Sequence, residues 1–127
     1  MLLKNQWGPS AWHFLHAIAF KYPEHPSPTE RAAAKKFFES LGHLLPCKSC
    51  NEHYLEFLKA HPVAVGSREA LARWVHRLHN RVNSKSGKAT VPYDAVHAMY
   101  HRRPGLPVVG TVLIVLVLVV FLSAHFS

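Results

Sequence analysis

The sequence predicts an all-α domain, a four-helix bundle with a short fifth helix, joined to a C-terminal single-pass transmembrane helix. Three observations carry that expectation. Apolar residues up to about position 100 recur at helical spacing between proline and glycine breaks, no run alternates apolar with polar residues as a half-buried strand would, and the final stretch is almost free of charge. Of the 127 residues, all 15 Lys and Arg and all 7 Asp and Glu lie at or before Arg103, so the net charge of +8 belongs to the part that folds in water. A mean hydropathy of zero therefore averages two unlike halves. The expected division is a domain over residues 1–103 and an anchor over 104–127. That length holds one small domain, and two Cys form at most one bridge. A multidomain enzyme, a disordered acidic chain and a disulfide-dense secreted scaffold are excluded.

The first helix carries Trp12, Leu15, His16 and Ala19, with Phe14, Ile18 and Tyr22 also at helical spacing, and Pro23, Pro26 and Pro28 end it. The second opens at Ser27-Pro28-Thr29-Glu30, a capping box with proline at the first helical position. Its apolar face is Ala34, Phe37, Phe38 and Leu41, and Gly42 and Pro46 break it. A third helix runs from about Cys47 to Ala60, stopped by Pro62. The fourth starts after Ser67, a suitable N-cap, and carries Leu71, Trp74, Val75, Leu78 and Val82 on one stripe until Ser84-Lys85-Ser86-Gly87. A short fifth follows Pro92, through Val96 and Met99 or Tyr100.

The tail, Leu106 to Ala124, is 19 residues without a charge and rich in Val and Leu. It is just long enough to span a bilayer core, which takes about 20 apolar residues. Arg102 and Arg103 precede it and only His125-Phe126-Ser127 follow, so the positive-inside bias predicts a tail anchor with the domain facing the cytoplasm. Met1-Leu2-Leu3-Lys4-Asn5 has no apolar core of signal-peptide length, which agrees with that orientation. The Cys pair then faces a reducing compartment, where a pair of thiols more often does chemistry than holds structure. The basic surplus carries no nucleic-acid motif, and no nucleic-acid partner is expected. Arg73, Arg77, Arg81, Arg102 and Arg103 suit an anionic leaflet or an acidic partner better.

Cys47-Lys48-Ser49-Cys50 sets two thiols on one face of a helix start, with Cys47 near unpaired N–H groups that stabilise a thiolate. Such a pair can cycle between dithiol and disulfide. It is also half of a zinc site, and among 11 His the pairs His76/His79 and His97/His101 have ligand spacing, so a tail-anchored zinc-bound adaptor without enzymatic activity is the alternative. Asn80 and Asn83 are poor helix formers in the middle of an amphipathic helix beside His79. They suit either a solvated polar face or a planar heterocyclic ligand whose phosphates reach Lys85 and Lys88.

Three motifs in order, WGxxxWxxxH from Trp7 to His16, CxxC at Cys47 to Cys50 with His53 three residues beyond, and HNxVNxKxGK from His79 to Lys88, resemble the Erv/ALR family of FAD-linked sulfhydryl oxidases. The resemblance spans about residues 4–102 and is similar to the small membrane-anchored viral members. It implies a non-covalent FAD inside a helical bundle, no metal, and a homodimer through the first two helices. Its catalytic pair corresponds to Cys47, which meets incoming thiols, and Cys50, beside the flavin. Its cofactor positions correspond to Gly8, Ser10, Trp12, His16, Cys50, His53, Trp74, His79, Asn80, Val82, Asn83, Lys85 and Lys88, with Tyr100 at the C-terminal aromatic position. The implied electron donor is a dithiol-containing redox protein and the acceptor is dioxygen, giving hydrogen peroxide. The chain departs from the family pattern at Pro9, where members often carry Arg, and it has no additional Cys for a shuttle pair.

Overall fold

The structure, a computed structural model, describes residues 2–102. It is all-helical there, with α1 at Lys4–Lys21, α2 at Pro28–Ser40, a 3-10 turn at Leu41–His43, α3 at Lys48–Ala60, α4 at Arg68–Lys85 and α5 at Tyr93–His101. The anchor expected at Leu106–Ala124 lies outside the described residues. Among the described residues no helix is long and apolar enough to cross a membrane.

Three of the helices, α2, α3 and α4, begin where the sequence supplies a side-chain acceptor for an unpaired first-turn N–H group. The Ser27 hydroxyl accepts from the Glu30 N–H while the Glu30 carboxylate accepts from the Ser27 N–H, so the expected capping box closes in both directions. Ser67 caps α4 through the Ala70 N–H. At α3 the cap is a sulfur: Cys47 is extended and its Sγ accepts the Cys50 N–H at 3.3 Å.

The end of α4 needs one unusual backbone. Gly87 has φ +70°, and around it the Gly87 N–H returns to Ser84 O and the Lys88 N–H to Asn83 O, the double bond pattern of a glycine-terminated helix. This turn folds Lys88 back over the helix end. A side chain at φ above zero costs about 1–2 kcal/mol, so Gly87→Ala is expected to lower Tm by roughly 4–8 °C for each kcal/mol in a domain of this size. A thermal melt of the variant checks it, and an unchanged Tm would show that the turn tolerates a Cβ.

The core forms around Trp74. Phe38, Tyr54 and Phe57 approach its ring edge-on at centroid distances of 5.4, 6.5 and 5.6 Å, the arrangement aromatic quadrupoles favour. Leu71, Val75 and Leu78 bury the rest of the α4 stripe, chiefly against Leu15 and Ala19 of α1. Buried polar atoms on this side find backbone partners: the Tyr54 hydroxyl donates to Phe38 O at 2.6 Å and the Trp74 indole N–H to His61 O at 2.9 Å. Desolvation accordingly pushes the Tyr54 phenol far above its ordinary pKa.

Two details differ from the sequence expectation, and a third selects between two residues it left open. Phe14 is 59% exposed, because the α1 face that packs on α4 is the one bearing Leu15, His16 and Ala19. Val82 is also exposed, so the buried stripe of α4 stops at Leu78, one turn short of the expected end. On α5 Met99 points outward and Tyr100 is the residue that packs, at 5.0 Å from the Phe20 ring.

Candidate redox and cofactor site

Cys47 and Cys50 are joined as a disulfide across the first turn of α3, with Cα atoms 5.2 Å apart. Both residues are half-buried. Cys50 leads the core stripe of α3, one and two turns before the buried Tyr54 and Phe57, whereas Cys47 sits at the cap next to the exposed turn at residues 44–46. By helical position Cys50 thus lies on the core-bearing face of α3 and Cys47 at its cap. On reduction, the free N–H groups of the α3 first turn favour thiolate over thiol.

That turn is held by a residue outside the motifs. The Asn51 side chain donates to Leu45 O at 3.1 Å and accepts the Leu45 N–H at 3.0 Å. The Cys47 N–H also donates to Leu45 O. Asn directly after CxxC, inside a helix it disfavours, is the sequence signal that could have found it.

A second assembly lies between α1, α4 and α5. Trp12 stacks on His79 with centroids 4.0 Å apart and planes 6° from parallel, and His16 Nε2 lies 2.9 Å from His79 Nδ1. Tyr100 closes the group at 5.7 Å from the His16 ring, its hydroxyl 3.1 Å from His13 Nδ1. Burial pushes His16 down to about 4, with the positive charge of neighbouring His79, His76 and His13 opposing protonation further. Burial likewise holds His79 at about 4, with His76 and Lys88 contributing. Both imidazoles are therefore neutral at pH 7, one donating to the other. The influence of Lys88 on His79 reflects its return over the helix end by the Gly87 turn.

The sign of the pH dependence follows from these values. An unfolded His protonates near 6.5, so between pH 6.5 and 4 the unfolded chain binds more protons than the folded one and stability rises with pH. The stability contributed by the neutral pair is complete above about pH 6.5 and is lost as pH falls toward 4. Melts from pH 7.5 to 4 should show Tm falling through that window, and His79→Gln should flatten the fall; equal slopes for both proteins would remove the pair as its source.

The structure leaves specific atoms without partners here. His16 Nδ1 is buried here and makes no hydrogen bond, an arrangement costing about 1–3 kcal/mol unless something else satisfies it; Trp7 Nε1 is likewise buried and unpaired, but half a turn round α1 from His16. Gly8 shares a helical face with Trp12 and His16, and nothing lies within 4 Å of the position its Cβ would take. No protein contact requires glycine there, although glycine in a helix interior costs about 1 kcal/mol against alanine. A face with stacked aromatics, an unpaired buried nitrogen and a missing side chain fits a flat, hydrogen-bonding heterocycle such as the expected flavin.

The remaining expected positions fall elsewhere. Trp74 is 4% exposed at the centre of the core with its N–H satisfied, so packing alone accounts for it. Asn80 does structural work: its amide group bonds both Val91 O and the Val91 N–H, at 2.9 and 3.0 Å, pinning the segment before α5 onto α4. Backbone clamping is a role distinct from both the solvated polar face and the ligand contact that the sequence suggests for this residue. Asn83 is half-buried, and its carbonyl closes the helix end. Ser10 and Val82 are exposed. His53 is exposed at a cleft of about 260 Å³ between α3 and α4, which it shares with Glu56, Arg77 and Arg81. Lys85 reaches the same cleft through Glu56 at 3.3 Å. The zinc alternative gains no support: among the described residues no group of three or more His, Cys, Asp or Glu converges, and both Cys are engaged with each other.

An all-helical domain with a Cys pair at a helix start and a His–Trp–His assembly between helices defines a class of helical redox modules. Residues 9–101 match the Erv1 / Alr family, and the chain belongs to it. It is similar to the FAD-linked sulfhydryl oxidase ERV1 of Oryza sativa subsp. japonica, 37% identical over 101 residues, or 80% of this chain and 52% of that protein. It is also similar to a probable FAD-linked sulfhydryl oxidase of Acanthamoeba polyphaga mimivirus, 36% identical over 99 residues, covering 75% of this chain and 69% of that one. Among solved structures it resembles the FAD binding domain of Erv1 from Saccharomyces cerevisiae, with a TM-score of 0.76 at 29% identity, covering 79% of this chain and 95% of that chain. The chain spans about half the length of the plant relatives it matches.

Proposed function

We propose that this chain is an FAD-linked sulfhydryl oxidase that forms disulfides in a dithiol partner and passes the electrons to dioxygen. The observation that carries the reading is the Cys47–Cys50 disulfide at the start of α3 in a member of this family. A partner thiolate attacks Cys47 Sγ, the Cys47–Cys50 bond breaks, and Cys50 leaves as thiolate, stabilised by the helix N-terminus. A second partner thiolate then attacks the partner's own sulfur in the mixed disulfide and releases Cys47. The partner has lost two electrons and two protons, and the Cys pair has gained them. When bound, FAD supplies the two-electron acceptor that reoxidises the pair and delivers the electrons to dioxygen as hydrogen peroxide. His16 offers an unpaired buried nitrogen to hold it, Trp12 and His79 offer stacked faces, and Lys88 offers a positive charge for phosphate.

The test is a visible spectrum of the purified protein with an oxygen electrode. The expected results are a flavin band near 450 nm (an order-of-magnitude figure from the cofactor itself) and oxygen uptake on adding dithiothreitol. A colourless protein with stoichiometric zinc would return the adaptor reading.

The same proposal includes a homodimer through α1 and α2 and a membrane anchor at Leu106–Ala124 with the domain toward the cytoplasm. The exposed Phe14 on α1 supports the first, and the uncharged stretch after Arg103 supports the second. Light scattering on the protein in detergent gives the oligomeric state; a monomer mass would remove the dimer.

A further inference from the structure

Leu44 is 72% exposed, three residues before Cys47. A lone exposed leucine is ordinary on a protein surface, but this one is held out by a frame. The N–H groups of Leu44 and Leu45 both donate to Leu41 O, at 3.1 and 3.2 Å. Asn51 grips Leu45 through both its N–H and its carbonyl, and the Cys47 N–H returns to the same carbonyl at 2.8 Å. Leu45 packs inward against the core while Leu44 points out. With the chain folded back in this way, Leu44 stays within about 10 Å of Cys47. The two residues form one rigid rim.

Between the flanking Glu39 and Glu52, the rim carries a single cation. Residues 40–51 contain no Asp or Glu, and Lys48 is exposed beside Cys47. An anionic thiolate approaching Cys47 meets no like charge from this stretch, and one cation attracts it. An apolar contact alongside a cation-lined sulfur suits one kind of visitor: a polypeptide whose attacking cysteine has a large apolar neighbour. A small dithiol has nothing to place on Leu44.

We infer that Leu44 is a specificity-determining residue that selects reduced dithiol polypeptides carrying a large apolar side chain within about three residues of the attacking cysteine. The inference rests on the sulfhydryl-oxidase reading and names the substrate class of that same site. In the step it governs, the peptide thiolate forms a bond to Cys47 Sγ as the Cys47–Cys50 bond breaks, with the electron pair leaving on Cys50. The second peptide thiolate completes the peptide disulfide and frees Cys47, so the peptide is oxidised and the Cys pair reduced with no other reagent. Leu44 takes no part in the electron transfer. It lowers the free energy of the encounter by covering apolar surface on both sides.

The experiment uses the full-length protein with its cofactor, mixed anaerobically with two reduced CxxC peptides that differ only in leucine or serine three residues before the first cysteine. The second-order loss of peptide thiols reads attack at Cys47 without requiring turnover through dioxygen. The wild-type protein should oxidise the leucine peptide roughly tenfold faster than the serine peptide, from burial of one leucine against another. Leu44→Asp should reduce that ratio to about one, and Leu44→Met, which keeps an apolar side chain of similar volume, should retain most of it. A wild-type ratio near one, or a preference that survives Leu44→Asp, overturns the inference. Aerobic oxygen uptake with dithiothreitol separates the two levels: uptake with no peptide preference fails Leu44 alone, and no uptake fails the oxidase reading beneath it.

Discussion

Cys47→Ser and Cys50→Ser are each expected to reduce the proposed thiol-driven oxygen consumption to background while leaving the protein folded and flavin-coloured. Loss of function follows from the chemistry, because a single sulfur can accept a partner thiolate or release one but cannot do both. Retention of the fold follows from the geometry. Serine at 47 is a better helix cap than cysteine and can accept the Cys50 N–H as the sulfur does. The bridge closes a loop of only three residues in sequence separation, so its removal releases little chain entropy. The two variants should nonetheless differ in colour. With Cys47 replaced, the remaining sulfur is the one at the head of the core stripe of α3, and on the role proposed for Cys50 a thiolate there should add absorbance at wavelengths beyond the flavin band. With Cys50 replaced, the remaining sulfur sits at the surface cap and adds none. Long-wavelength absorbance in Cys50→Ser instead would reverse the two roles.

How far the sequence could be read depended on whether a residue acts through neighbours along the chain or across it. The capping box at Ser27, the cap at Ser67 and the glycine end at Gly87 are local, and each stands where its pattern placed it. The buried stripe of α4 was legible to Leu78, because i, i+3 and i+4 spacing reports one helical face. Phe14 and Val82 were not separable from core residues, since periodicity reports that a face is apolar but not which apolar residues find a partner. In the site, motif order brought Gly8, Trp12, His16, His79 and Tyr100 to one assembly with no local pattern linking α1 to α5. Asn80 shows the opposite case. Its motif position matched a cofactor contact, but its amide is occupied by Val91, eleven residues on, and nothing in the fourth helix alone predicts that pairing. Asn51 was overlooked for the same reason, its partner Leu45 lying in the preceding turn.

A chain shortened to end at Arg103 should lose the proposed membrane attachment entirely and keep the proposed redox activity, a complete loss of one property with the other intact. Every residue offered to the cofactor or to substrate, from Gly8 to Tyr100, belongs to residues 2–102, and the core closes among α1 to α5, with Val96 the α5 residue buried in it. The shortened protein is therefore expected in the soluble fraction, with a flavin band and with dithiothreitol oxidation close to that of the full chain, because a small dithiol reaches Cys47 unaided. The full chain should sediment with membranes and resist extraction by high salt, since an apolar span of 19 residues is held by the hydrocarbon core rather than by surface charge. A salt wash that releases it would assign the membrane attachment to the +8 domain instead. Protease added to sealed vesicles reads the orientation: digestion of the domain on the cytoplasmic face agrees with the pull of Arg102 and Arg103, and protection places the domain in the lumen. A shortened protein that emerges without flavin or in aggregates would show that the segment after Arg103 completes the cofactor site, because no other residues differ between the two chains.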